Sequence, residues 1–172
     1  IVFVGKNSIK PHHFFSFFDK NALIEDVKAE LYENHPQFSD TGKSFAVFEI
    51  STTDLIPLKE LRDYHPVEYL KQNSILGIYE LKDEKEECLL IYFIRHKRIL
   101  SYPIMLSLKK YTSLSKENLF DELAAKIGVD LRSSIGEILL QKWRNPSYHR
   151  PEYEEVTEST TIESGSSIFL SL

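Results

Sequence analysis

Three consecutive runs decide how this chain is divided: Ser74-Ile75-Leu76-Gly77-Ile78-Tyr79-Glu80-Leu81, then Lys82-Asp83-Glu84-Lys85-Glu86-Glu87, then Cys88-Leu89-Leu90-Ile91-Tyr92-Phe93-Ile94. The first reads as a strand that closes one unit. The second is an uninterrupted charged bridge, and the third reads as a strand that opens another unit. The expected organisation is therefore a first domain over residues 1–81, a charged linker over 82–87 and a second domain over 88–172. Each unit falls within the usual size range of a domain.

Composition bounds what such units do. At 42% hydrophobic and 12% aromatic residues, the sequence can build a core and is not a disordered tail. A net charge of -5 with thinly spread Lys and Arg argues against nucleic acid as a partner, since that needs a concentrated cationic face. The single cysteine, Cys88, excludes an internal disulfide and a cysteine-cluster metal site, and it fits a reducing intracellular compartment, cytoplasm or nucleus. No apolar run reaches the roughly 18 residues of a membrane helix, and no secretory leader is visible. Because the sequence opens at Ile1 with a strand already under way, it reads as a segment of a longer protein.

Working outward from the seam, the first unit opens with the apolar run at residues 1–4 and a turn over 5–8. A second strand is expected over 14–18, with Phe15 and Phe17 on one face and Phe14, Ser16 and Phe18 on the other. Leu23, Val27 and Leu31 recur at helical spacing, with Asn21 as the expected N-cap and His35-Pro36 as the stop. A third strand covers 45–50, and Pro57 confines the strand at 55–58 to a sheet edge. Asp63 is the expected cap of a short helix through 67–70, and the strand at 75–81 closes the unit. This order is that of a ubiquitin-like, or β-grasp, domain.

The second unit starts alike. A strand at 88–94, a cationic bend at 95–98 and a proline-containing strand at 102–108 lead to a helix capped by Ser115, carrying Leu119, Leu123 and Ile127 and closed by Gly128. Ser133 or Ser134 then reads as the cap of an extra helix holding Ile135, Ile138, Leu139 and Trp143. Strands are expected over 156–162 and 167–172, joined by a turn at 164–166. The expected fold class is α+β, two ubiquitin-like units in tandem, the second atypical with an extra helix.

No catalytic residue is assigned. Cys88 sits among Leu89, Leu90 and Ile91 as an ordinary strand residue, lacking the helix terminus or paired histidine that activates a thiol. The six histidines form no ligand spacing, HExxH is absent, and no glycine-rich phosphate loop occurs, so neither metal nor cofactor is expected. The strongest local charge contrast is Arg95, His96, Lys97 and Arg98, with Lys109 and Lys110 on the following arm and Tyr102 and Tyr111 beside them. These eight residues are the candidate docking patch for an acidic protein surface.

The seam also carries a resemblance. Ile78-Tyr79-Glu80-Leu81, the charged gap, residues 89–95 and Tyr102-Pro103-Ile104-Met105-Leu106-Ser107-Leu108 resemble a segment inside the catalytic regions of some ubiquitin-specific proteases. Those enzymes carry a tyrosine-glutamate strand end, a strand leading to a basic pair, and a proline-containing strand followed by a helix, here at 119–127. Upstream, the block from Ile24-Glu25-Asp26-Val27 to Tyr79-Glu80 resembles the ubiquitin-like material found before that strand, so the similarity spans residues 24–127. The family's cysteine box, histidine box and zinc finger are missing, and Cys88 lacks the surroundings of the family nucleophile. The resemblance therefore implies a non-catalytic accessory region of a thiol-dependent deubiquitinase, regulating the protease domain of the same chain or recruiting a regulatory protein. The run at 168–172 has no Gly-Gly tail, against a conjugated modifier.

Ras-association domains share the β-grasp order, and the stretch around Ile56-Pro57-Leu58 resembles some of them. They present basic residues on the second strand and first helix. Residues 12–18 hold no Lys or Arg, and the helix carries Glu25, Asp26, Glu30 and Glu33 against Lys28. Like charges oppose docking to an acidic GTPase, so this reading ranks second.

Overall fold

A computed structural model describes residues 1–4, 12–35, 44–53, 57–71, 74–81, 83–96, 98–142 and 152–172. The fold is α+β, and the chain divides into a unit over Ile1–Glu84 and a unit over Lys85–Leu172. The expected turn at 5–8, the edge residues Leu55 and Ile56, and Trp143 lie outside the described residues.

In the first unit, β1 (Val2–Val4), β2 (His12–His13), α1 (Ile24–Asn34), β3 (Ser44–Ile50), β4 (Pro57–Leu61) and β5 (Ile75–Leu81) follow in chain order, with one 3-10 turn at Val67–Tyr69. The sheet runs β2-β1-β5-β3-β4. Its central pair, β1 and β5, is parallel, and all other neighbours are antiparallel. α1 buries Ile24, Val27 and Leu31 against Val47, Leu61, Leu76 and Ile78 of the sheet, the apolar stripe expected from its period. Proline confines β4 as the sequence implies: Pro57 is its first residue, and the strand lies at a sheet edge.

Three local expectations give way in this unit. The cap of α1 is Leu23, whose N–H donates to the Asp26 carboxylate at 2.7 Å. Asn21 is taken up instead by a turn, its N–H donating to the Asp19 carboxylate at 2.9 Å. Asp63 caps no helix, because Pro66 in extended conformation stops the 3-10 turn from reaching back to it. Its carboxylate pairs with Lys28 and its carbonyl accepts the Glu25 N–H, which ties the loop to α1. The strand expected over 14–18 is not formed: β2 covers only His12–His13 just before it, and Phe14 N–H bonds to the Ile1 carbonyl at 2.8 Å. The alternation nevertheless persists, with Phe14 and Phe18 against the core and Phe15 and Phe17 exposed.

Gly77 shows why β5 tolerates so small a residue in its middle. A methyl group there would press on Ile50 Cδ1 and come within 2.9 Å of the Tyr79 ring. Gly77→Ala is expected to cost about 1 to 3 kcal/mol by overpacking. Adding Ile50→Val, which removes the obstructing methyl, should return part of that loss in urea denaturation.

The second unit comprises β6 (Glu86–Arg95), β7 (Arg98–Ile99), β8 (Ile104–Lys109), β9 (Ser113–Leu114), α2 (Lys116–Ile127), β10 (Ile138–Lys142), β11 (Glu152–Glu155), β12 (Ile162–Glu163) and β13 (Ser167–Ser171). β8 pairs with β6, β6 with β13, β13 with β10 and β10 with β11. The strand order β8-β6-β13-β10-β11 again has one parallel pair, β6 with β13, at its centre. β9 and β12 form a separate two-stranded ribbon. Ser115 caps α2, accepting the Asn118 N–H at 3.2 Å, and Gly128 closes it with φ of 78°. Leu119, Phe120 and Leu123 pack onto Leu89, Ile91, Leu106, Ile168 and Leu170.

The extra helix expected after Ser133 or Ser134 is not formed; residues 138–142 are β10 instead. Ile138 and Leu140 both enter the core, a period of two that the spacing of Ile135, Ile138 and Leu139 had masked as a helical one. The strand expected over 156–162 is not formed: β11 ends at Glu155, and only Ile162 enters a strand, β12. Between them the Thr157 N–H donates to Thr160 Oγ1 at 2.9 Å and the Thr160 N–H to the Thr157 carbonyl at 3.1 Å, a hydroxyl-stabilised turn. Glu86 and Glu87, read as linker, are the first residues of β6, where Glu86 faces Lys109 and the Glu87 carboxylate accepts the Ser164 hydroxyl at 2.8 Å.

Candidate functional site

The eight candidate docking residues separate along one hairpin. Glu86 is opposite Lys109 at one end of β6, and Arg95 is opposite Arg98 at the other. At strand rise this interval spans about 30 Å. Arg95, His96 and Arg98 form the tip, and Lys97 lies outside the described residues. Tyr102 belongs with the tip group: it sits half-buried in a bulge over residues 100–103, where four residues face only Tyr92 and Phe93 of β6.

Lys109, Lys110 and Tyr111 form the far turn. Tyr111 is 96% exposed with φ of 61°, and the Thr112 hydroxyl donates to the Lys109 carbonyl at 2.5 Å. Glu86 opposite Lys109 offsets the positive charge there. The tip lacks such an offset. Among the described residues Lys28 pairs with Asp63, Arg62 with Glu60, Lys116 with Glu158, and Arg132 with Asp121 and Asp130, whereas the Arg95 and Arg98 side chains meet no carboxylate.

Two features of the tip oppose folding and call for another explanation. Like charges directly across a strand pair are destabilising, and Arg95 faces Arg98. A two-residue connection wants Asn or Gly at positive φ, yet His96 holds φ of 51° here. Local strain of this kind persists where a bound partner or the surrounding fold offsets it.

The thiol and the other described imidazoles lie on several separate elements. Cys88 is 3% exposed in β6, opposite Ser107. His12 and His13 are exposed in β2, His35 caps the end of α1 4.0 Å from the Phe14 ring, and His65 Nδ1 accepts the Arg62 N–H at 2.6 Å. His149 lies outside the described residues. Among the described residues, no three His, Cys, Asp or Glu converge as a metal site. An open cleft of about 430 Å³ on the second unit is lined by carboxylates and hydroxyls, including Glu154, Glu155, Thr160 and Glu163, with no thiol or imidazole among them. At the end of α2, the Arg132 backbone N–H and guanidinium hold the Asp130 carboxyl below the usual carboxylate range, a surface clip.

Two features escaped the sequence reading. Glu49, inside β3, is 1% exposed, and its Oε1 accepts the Lys71 N–H and the Ser74 hydroxyl, each at 2.6 Å. Its position between Phe48 and Ile50 was the available signal, because a carboxylate in an apolar strand must be held by donors. Phe15 and Phe17 are the other feature, on one side of the segment and almost fully in water. No helix among the described residues is long and apolar enough to cross a membrane. No family model matches the sequence, and a search of curated proteins returns no match.

Proposed function

We propose that this chain is a non-catalytic ubiquitin-like module of a deubiquitinase, and that it docks a protein partner through the cationic hairpin tip of the second unit. The carrying observation is the repeated strand order. Each unit runs hairpin, helix, then three further sheet strands, with its first and last sheet strands parallel at the centre. That repetition supports a β-grasp reading of both units. The resemblance around Tyr79-Glu80 and Tyr102-Pro103 supports a deubiquitinase as the parent. The partner chemistry follows from the tip: two unmatched guanidiniums facing each other favour a carboxylate-rich surface, which would relieve their repulsion.

Arg95→Glu combined with Arg98→Glu is expected to weaken partner capture by about tenfold or more. Lys109→Glu, already opposite Glu86, should change it little, and calorimetric titration of the recovered partner separates the two. The reading itself is tested by deleting residues 1–172 from the parent enzyme. Unchanged ubiquitin-substrate turnover together with unchanged partner recovery would sink it. Titration against GTP-loaded small GTPases tests the runner-up, and nucleotide-dependent micromolar binding would reverse the ranking.

A further inference from the structure

The segment after β2 carries a pattern that the proposed function does not use. Phe14-Phe15-Ser16-Phe17-Phe18 reads the same in both directions. Phe14 and Phe18 pack on the core, and the Ser16 hydroxyl donates to the Glu30 carboxylate of α1. Phe15 and Phe17 are each 98% exposed. Single exposed apolar residues are ordinary, but two whole phenyl rings side by side mark an interaction surface.

The backbone specifies what fits there. His12 and Phe14 stand opposite Phe3 and Ile1, and Phe14 exchanges both hydrogen bonds with Ile1 at 2.8 Å. Alternate residues of an antiparallel ladder present their N–H and C=O to the same side. Phe14 therefore faces β1 and Phe15 faces the outer edge, where the sheet order ends; beyond the end of β2, the same alternation continued in extended conformation turns Phe17 outward too. Neither makes a backbone hydrogen bond there.

We propose that this edge pairs with the same edge of a second copy of the chain, antiparallel, with the two-fold axis at Ser16. The palindrome makes the interface self-complementary, as an isologous contact requires. Phe15 meets Phe17 of the second copy, and these are the residues whose backbone groups point outward, so about four cross-copy hydrogen bonds form. The four phenyl rings gather on one face of the joined sheet, and the two Ser16 residues meet on the axis. In the same register His13 meets Asp19 of the second copy. Glu30, held beside Ser16, brings two carboxylates toward the axis and opposes the pairing.

Sedimentation equilibrium of the whole chain, from low micromolar to submillimolar concentration, tests this. A monomer–dimer equilibrium is expected. Phe15→Ser with Phe17→Ser should weaken it by about tenfold or more and leave the thermal midpoint unchanged at concentrations where the chain is monomeric, since the exposed rings contribute little to the monomer's fold. Glu30→Gln should strengthen it. Ser16→Cys should cross-link between copies faster than Asn21→Cys, because side chains at a non-hydrogen-bonded pair lie about 4.5 to 5.5 Å apart. A monomer at every concentration, or a dimer indifferent to loss of both rings, overturns the proposal. Equal cross-linking rates overturn the register about Ser16.

Discussion

Leu119→Ala is expected to lower the stability of the second unit by about 2 to 5 kcal/mol, the cost of a buried leucine plus the cavity it leaves. Leu119 is fully buried on α2 and packs in one cluster with strands that are far apart in sequence, through Leu89, Ile91, Ile168 and Leu170. Those strands include β6 and β13, the parallel pair at the centre of the sheet. Parallel neighbours gain their hold only after a long crossover closes, so a cavity beneath them loosens the least local pairing in the unit. Urea denaturation followed by amide exchange on β6 and β13 measures the effect. Glu122→Ala on the exposed side of the same helix should stay within about 0.5 kcal/mol. Comparable losses from the two substitutions would mean that α2 does not pack as described.

The second large effect comes from a charge. Glu49→Ala should destabilise the first unit by about 2 to 4 kcal/mol, because two donors aimed at a buried carboxylate lose it together. Those donors are the Lys71 N–H and the Ser74 hydroxyl, which hold the loop before β5 against β3. Ser74→Ala removes one donor and leaves the carboxylate its backbone bond, so a smaller loss is expected. A double-mutant cycle between Glu49 and Ser74 should show coupling, and strictly additive losses would contradict a shared network.

Much of this architecture was legible in the sequence. The runs at 75–81 and 88–94 read as strands because they are almost continuously apolar, and their residues are buried on both faces of the sheets they enter. Ser115 and Gly128 marked the ends of α2 because capping is local chemistry. What failed was decided by distant partners. Residues 138–142 carry apolar side chains compatible with either period, and only pairing with β13 and β11 selects the strand. Asn21 is a good cap in isolation, but Asp19 draws it into a turn and Asp26 reaches back to Leu23. The candidate site was legible in composition but not in extent. Cations close in sequence were read as one patch, while the register of β6 with β8 sends Lys109, Lys110 and Tyr111 to the opposite end from Arg95. The charge facing Lys109 also comes from Glu86, which the sequence presents as linker.

On the proposed reading, the segment acts by docking through the hairpin tip and not by chemistry of its own. The measurement that tests it is turnover of a ubiquitin-conjugated fluorogenic substrate by the proposed deubiquitinase parent in four forms: intact, lacking residues 1–172, carrying Arg95→Glu with Arg98→Glu, and carrying Cys88→Ala. The tip reversal should reproduce the change caused by the deletion, and Cys88→Ala should leave turnover as it was. Loss of turnover on removing the Cys88 thiol from a still-folded enzyme, or a tip reversal without effect where the deletion has one, would contradict it.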